Sequence, residues 1–281
     1  MDNNKLNTIK NLFWLIAIFL CTGAVVFAIV FAMFQRYYGQ KESFGINILS
    51  AETESTEKTE ADDVIVGSGL GNQRGDLKIL EKTEDAGEEY LEHVYFLVDS
   101  TFLNMRQSSC GSRTWASESG SLPLSKVNES GIIKFPNDGS MISAAEAAMI
   151  IKPEILVIGL GSDALADTTE DEFIKNYDTL INDILSASPE TQIICCGLPG
   201  VVETYNNVDR LDVTVMSDGN DWVQLVCRDT GASFLNVREA VTESAVLLTR
   251  FADSNGKTLN SSGISEFLMY LRTHGVQLKT Y

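Results

Sequence analysis

From residue 90 onward, short apolar runs of strand length alternate with stretches whose apolar residues recur at helical spacing, and few folds accommodate that alternation. Val94–Val98, Ile155–Gly159 and Gln192–Cys196 are near-continuous apolar segments of the kind a parallel sheet buries on both faces. Residues 170–185 carry Phe173, Tyr177, Leu180, Ile181 and Ile184 at three- and four-residue steps, which predicts an amphipathic helix covering one face. Residues 142–151 predict a helix ending before Pro153. Thr114, Trp115 and Ala116 predict a short second strand, and the segment after Ser100 a first helix with Leu103 and Met105 near its buried side. A helix around residues 222–228 leads to a strand over 233–236, and residues 263–274 close as a helix. The expected class is α/β, a parallel sheet with helices on both faces.

The chain before this region reads differently. Residues 12–34 are apolar without a charge, about the length that spans a hydrocarbon layer as a helix at ~1.5 Å per residue. They predict a transmembrane helix after a cytoplasmic segment over 1–11. A cleaved signal peptide is the competing reading: Ala24 and Ala28 leave cleavage open, but Phe31-Ala32-Met33-Phe34 has no small-x-small site. Lys5 and Lys10 before the span, against Arg36, Lys41 and Glu42 after it, place the N-terminus in the cytoplasm and the rest outside at the cell membrane. Residues 35–89 read as an acidic, largely disordered linker rich in Glu, Thr, Ser and Gly. Its apolar islands, 64–66 and 77–80, are its only candidates for docking, and unstructured spacer is the expectation. One folded domain is expected over 90–281.

Asp plus Glu number 39 against 21 Lys plus Arg, a formal net charge of −18, so phosphate repulsion argues against nucleic acid as a partner. No tight cluster of metal-ligand types is present, and neither a metal nor a cofactor is expected. Cys195 and Cys196 sit side by side in a strand and point to opposite sides. Cys110 and Cys227 would be free to pair outside the cell, but nothing in the sequence brings them together. Free, mostly buried thiols are the expectation.

In open parallel sheets, ligands bind at the carboxyl ends of the strands. Four segments lie there: Asp99-Ser100, Ser119-Gly120-Ser121, residues 159–163, and the loop 253–263 before the last helix. In this order of segments, over most of residues 93 to 278, the chain resembles the SGNH (GDSL-type) hydrolases, in particular membrane-anchored or secreted bacterial members. The resemblance implies a three-layer α/β/α sandwich on a flavodoxin-like sheet. It also implies a serine nucleophile in a Gly-Asp-Ser motif, an oxyanion hole from a glycine and an asparagine, and an Asp-x-x-His motif supplying the base. Family members are esterases, lipases or carbohydrate deacetylases that need no metal.

By this resemblance Ser100 stands at the nucleophile position, with Val98 where the family has glycine, and Gly120 and Asp163 stand at the oxyanion-hole positions. Asn255 and Thr258 stand where the family has Asp and His. An anion at 163 opposes a developing oxyanion, and threonine is no base. The chain has two histidines: His274 lies most of a helix further on, and His93 begins the first strand. Each residue also has a purely structural reading: Ser100 and Asp163 as helix caps, Gly120 and Gly161 as turn glycines, residues 260–263 holding the last helix, Trp115 and Trp222 as packing residues. The expectation is an esterase-like domain displayed outside the membrane, catalytically impaired and acting in binding or assembly at the cell envelope. Its candidate partners are cell-wall polysaccharide, exopolysaccharide or a membrane protein. The alternative is a working serine esterase or deacetylase on acylated envelope carbohydrate, with its base from Asp253, Asp163 or His274.

Overall fold

The computed structural model describes residues 75–129, 131–135, 138–206 and 209–278. The span predicted over 12–34, and Cys21 within it, lie outside the described residues; among the described residues no helix is long and apolar enough to cross a membrane.

Six strands form one sheet: β1 Lys78–Ile79, β2 Val94–Val98, β3 Thr114–Trp115, β4 Ile155–Gly159, β5 Gln192–Cys196 and β6 Ser233–Leu235. Their order is β1-β6-β5-β4-β2-β3, and every neighbouring pair is parallel. Leaving aside the edge strand β1, this is the flavodoxin-like order, whose direction reverses between β2 and β4. Four longer helices flank it: α1 Ala144–Ile151, α2 Glu170–Ala187, α3 Val213–Thr230 and α4 Ser261–Thr273.

The apolar runs are continuous because both faces of the sheet are covered. Along β4, Leu156 and Ile158 pack with Phe173, Tyr177 and Ile181 of α2, while Ile155 and Val157 pack on the other side with Phe267 and Leu271 of α4. Each such side chain taken from water contributes about 1.5–3 kcal/mol. Cys195 and Cys196 divide between the two cores as the strand pleat requires. Cys110, Cys195, Cys196 and Cys227 are free, buried thiols. Trp115 is fully buried, and Trp222 packs on Phe173 with ring centroids 5.4 Å apart.

Helix starts follow local chemistry. Capping boxes at Ser143 with Glu146 and at Thr169 with Glu172 begin α1 and α2, Asp212 caps α3, and Asn260 caps α4 by accepting from Gly263 N. Helix α3 begins nine residues before the stretch predicted around 222–228, because the polar residues Ser217, Asp218 and Asp221 on its open side mask the apolar spacing.

The end of the predicted linker is ordered instead of serving as spacer. Lys78 and Ile79 pair with Ser233 and Phe234, and Leu80 N donates to Phe234 O at 2.9 Å. Leu77 packs against one core and Leu80 against the other, so this island straddles the sheet edge. Arg272 of α4 clamps the following turn through Asp85 and Glu88, and its guanidinium holds the Asp85 carboxyl down at about 2.

Candidate functional site at the carboxyl edge of the sheet

The reversal of strand order opens at the carboxyl ends of β2 and β4, whose last residues, Val98 and Gly159, lie side by side. The chain leaves both strands at one level, and Asp99 N donates to Gly159 O at 3.0 Å. Gly159 is required here: a Cβ would stand 2.7 Å from the ring of Phe102, which fills the space beneath.

Asp99 points inward and staples the two loops together. Its Oδ1 accepts from Thr101 N at 2.9 Å; its Oδ2 accepts from Gly161 N, Ser162 N and Ser162 Oγ at 3.0, 2.9 and 2.8 Å. Burial, and then the nearby charge of Asp163, push its carboxyl up to about 6 against these donors. Asp99, and not Ser100, therefore caps the turn that follows. That turn is a 3₁₀ segment, Ser100–Gln107, where the sequence predicted an ordinary helix.

Ser100 and Asp163 meet above this staple. Ser100 Oγ donates to Asp163 Oδ1 at 2.5 Å, while Ser100 N and Leu122 N donate to Asp163 Oδ2 at 3.2 and 2.7 Å. Asp163 thus caps no helix. Lys257 Nζ approaches the same Oδ1 at 3.4 Å and reaches Asp209 Oδ2 at 3.1 Å, and Tyr205 OH donates to Asp209 Oδ1 at 2.7 Å. Burial would lower the Lys257 ammonium; Asp163 and Asp209 outweigh it, and the net direction is upward. Burial likewise works to raise the Asp209 carboxyl, but hydrogen bonds from Tyr205 and Lys257 bring it below its ordinary value. The Tyr205 phenol is raised by burial and by Asp209.

Gly120 lies at the positive φ of 84°, packed so closely on Leu103 that a Cβ would stand 2.4 Å from its methyl. Its N–H is given to Ser117 O at 3.1 Å, and Arg106 holds this loop by donating to Ala116 O and Ser117 O. Gly161, at φ 122°, needs its missing side chain because Phe173 lies 2.8 Å from where a Cβ would be.

The loop 253–263 reaches Ser100. Thr258 Oγ1 donates to Ser100 O at 2.9 Å and in turn accepts from Asn255 Nδ2 at 2.8 Å, while Asn255 Oδ1 receives Lys257 N and Thr258 N, both at 2.9 Å. Leu259 N donates to Thr101 O, and Asn104 Nδ2 to Leu259 O, both at 2.8 Å. Thr258, steadied by Asn255, therefore binds the backbone of Ser100 and leaves its hydroxyl alone.

The other candidates for a base lie elsewhere. His93 pairs with Glu154 at the start of β2, and His274 is buried, stacked on Tyr270 with ring centroids 3.8 Å apart. Asp253 turns its Oδ1 to Ser254 N. Among the described residues no group of three or more His, Cys, Asp or Glu is placed to hold a metal ion.

Sequence reasoning missed Lys257, Asp209 and Tyr205. For Lys257 a signal was present, since an acid at 163 inside a buried loop calls for a cation, and Lys257 sits within the motif already singled out.

The fold and this crevice define a parallel three-layer α/β protein with its polar site at the switch point of the sheet. No family model and no curated protein sequence matches the chain. Solved structures to which it is similar include a GDSL-like lipase from Bacteroides thetaiotaomicron, at 11% identity over 67% of this chain and 88% of that one, with a TM-score of 0.43. A carbohydrate esterase family 3 protein from Talaromyces cellulolyticus is similar at 13% identity over 64% and 93%, with a TM-score of 0.43. This likeness concerns the fold and nothing finer.

Proposed function

We propose that residues 90–281 form an SGNH (GDSL-type) hydrolase-like domain whose hydrolytic centre is rebuilt as a closed polar network. In this reading the apolar span 12–34 anchors it, the domain lies outside the membrane, and it acts by binding or assembly at the cell envelope. Its partner is an envelope polysaccharide or a membrane protein of an envelope complex.

The observation that carries this reading is the Asp163 carboxylate. It takes Ser100 Oγ, Ser100 N and Leu122 N together, so the serine hydroxyl and the backbone donors around it face an anion. A developing oxyanion there would meet repulsion in place of the few kcal/mol that a preorganised donor supplies. Gly120 N–H is already used, and Thr258 carries no basic nitrogen.

The second reading, an active esterase or deacetylase, is favoured by one distance: Asp163 is within 2.5 Å of Ser100 Oγ and is the candidate base that touches it. A carboxylate is poorly matched as a base near neutral pH, and this one is bound on both oxygens.

Treating the full chain and its Ser100→Ala variant with a serine-directed fluorophosphonate, followed by intact-mass analysis, separates the two. No Ser100-dependent adduct is expected. An adduct that forms on the parent chain and is lost in Ser100→Ala would establish the second reading.

A further inference from the structure

Three carboxylates converge at this edge: Asp99 from the end of β2, Asp163 from the loop after β4, and Asp209 from the segment preceding α3. Among the described residues, Ser100, Ser162, Tyr205 and Lys257 bond to them through their side chains. The Lys257 ammonium stands between Asp163 and Asp209, with its side chain 14% exposed and that of Asp163 5% exposed. A pair so enclosed is weakly screened by solvent and salt, and removing one partner leaves an uncompensated charge.

The Ser100 hydroxyl and the Lys257 ammonium share one oxygen, Asp163 Oδ1. The arrangement of Ser100 thus depends on a carboxylate whose presence in this crevice requires a cation. We infer that Lys257 is a positioning residue for this centre: it balances the Asp163 and Asp209 charges and so holds the carboxylate onto which Ser100 is turned. Asp163 and Lys257 act as one unit, with the side chains at 163 and 257 able to change only together. The inference deepens the reading of a closed centre and rests on it for its functional meaning. Its test reads stability and is independent of whether any ester is cleaved.

The test is a thermal-melting cycle on the full chain with Lys257→Met, which keeps the apolar stem and removes the charge, Asp163→Asn, the double variant, and Lys257→Arg. Lys257→Met is expected to lower Tm by roughly 5 °C or more at neutral pH. Its deficit shrinks as pH falls below about 5, because the parent there loses the stability that Lys257 gives by holding the Asp209 carboxyl below its ordinary value. The double variant is expected to recover more than half of that loss, and Lys257→Arg to melt near the parent at every pH.

Three results overturn the inference: a Lys257→Met chain that melts like the parent across the pH range, a double variant whose loss is the sum of the two single losses, or a Lys257→Arg chain that behaves like Lys257→Met. Should Lys257→Met not fold, the double variant still decides: it folds if the charges act as a unit, and a double variant that also fails to fold contradicts the pairing. A Ser100 adduct with the fluorophosphonate would remove the closed-centre reading and leave this cycle untouched, so the two failures are distinguishable.

Discussion

Ser100 Oγ lies 2.5 Å from Asp163 Oδ1 and donates its proton there, while the backbone N–H of the same serine and that of Leu122 close on Asp163 Oδ2. A nucleophilic serine needs its proton taken by a base and a neutral donor facing the carbonyl oxygen that becomes negative. Here one carboxylate takes the serine hydroxyl and the two backbone donors beside it.

Removing the charge while keeping the shape tests how far the site depends on it. Asp163→Asn offers one acceptor oxygen where the carboxylate offers two, so an amide NH₂ meets either the serine hydroxyl or two backbone N–H groups, and Lys257 loses a partner. A loss of about 2–3 kcal/mol at neutral pH is expected in urea unfolding, with the slope against denaturant unchanged.

Asp99 predicts a pH dependence. Its folded carboxyl is pushed up to about 6 from its ordinary value, so the folded chain holds a proton in acid that the unfolded chain has released. The stability from this linkage is fully present below the unfolded value near 4 and is lost as pH rises through about 6. Asp99→Asn, which misplaces donors against Thr101 N or against Gly161 N and Ser162 N, is expected to cost about 2–4 kcal/mol. Melting curves of parent and variant should show this deficit narrowing as pH rises from about 4 to about 6; a deficit that widens would reverse the sign.

Placing an acid at 255 and an imidazole at 258, as the proposed SGNH reading would require of an active centre, is expected to fail. Asn255→Asp with Thr258→His supplies an acid and an imidazole next to Ser100, but removes the Thr258 bond to Ser100 O and leaves the Asp163 anion in place. Ester hydrolysis by the full chain carrying both changes should stay at the background rate. A large gain would show that the centre was disabled by loss of its base alone.

Gly161 gives a packing test. At φ 122°, with the Phe173 ring 2.8 Å from a would-be Cβ, Gly161→Ala must strain the loop and move a core ring. A loss of about 2–4 kcal/mol in chemical denaturation is expected.

The extent to which this was legible in the sequence divides along physical lines. Strands β2, β4 and β5 and helix α2 could be read because burial on both faces, or on one helical stripe, writes itself into consecutive residues. The pairing of Leu77–Leu80 with β6 could not, since two ladder residues carry no period and their partners lie more than 150 positions away. In the site, Ser100, Asp163, Asn255 and Thr258 lie within one hydrogen-bonded group because each follows a strand or precedes a helix whose place is set by the core. What spacing did not convey was the direction of the hydrogen bonds. That Asp99 rather than Ser100 caps the turn, that Gly120 spends its N–H on Ser117, and that Lys257 and Asp209 complete the network all depend on side-chain orientation.

Whether Ser100 is a working nucleophile is read from the rate at which the purified full chain hydrolyses a small aryl acetate, compared with its Ser100→Ala variant across neutral and alkaline pH. Equal rates, at background, are expected for the two proteins. A rate that is well above background in the parent and vanishes in Ser100→Ala would make Ser100 a working nucleophile.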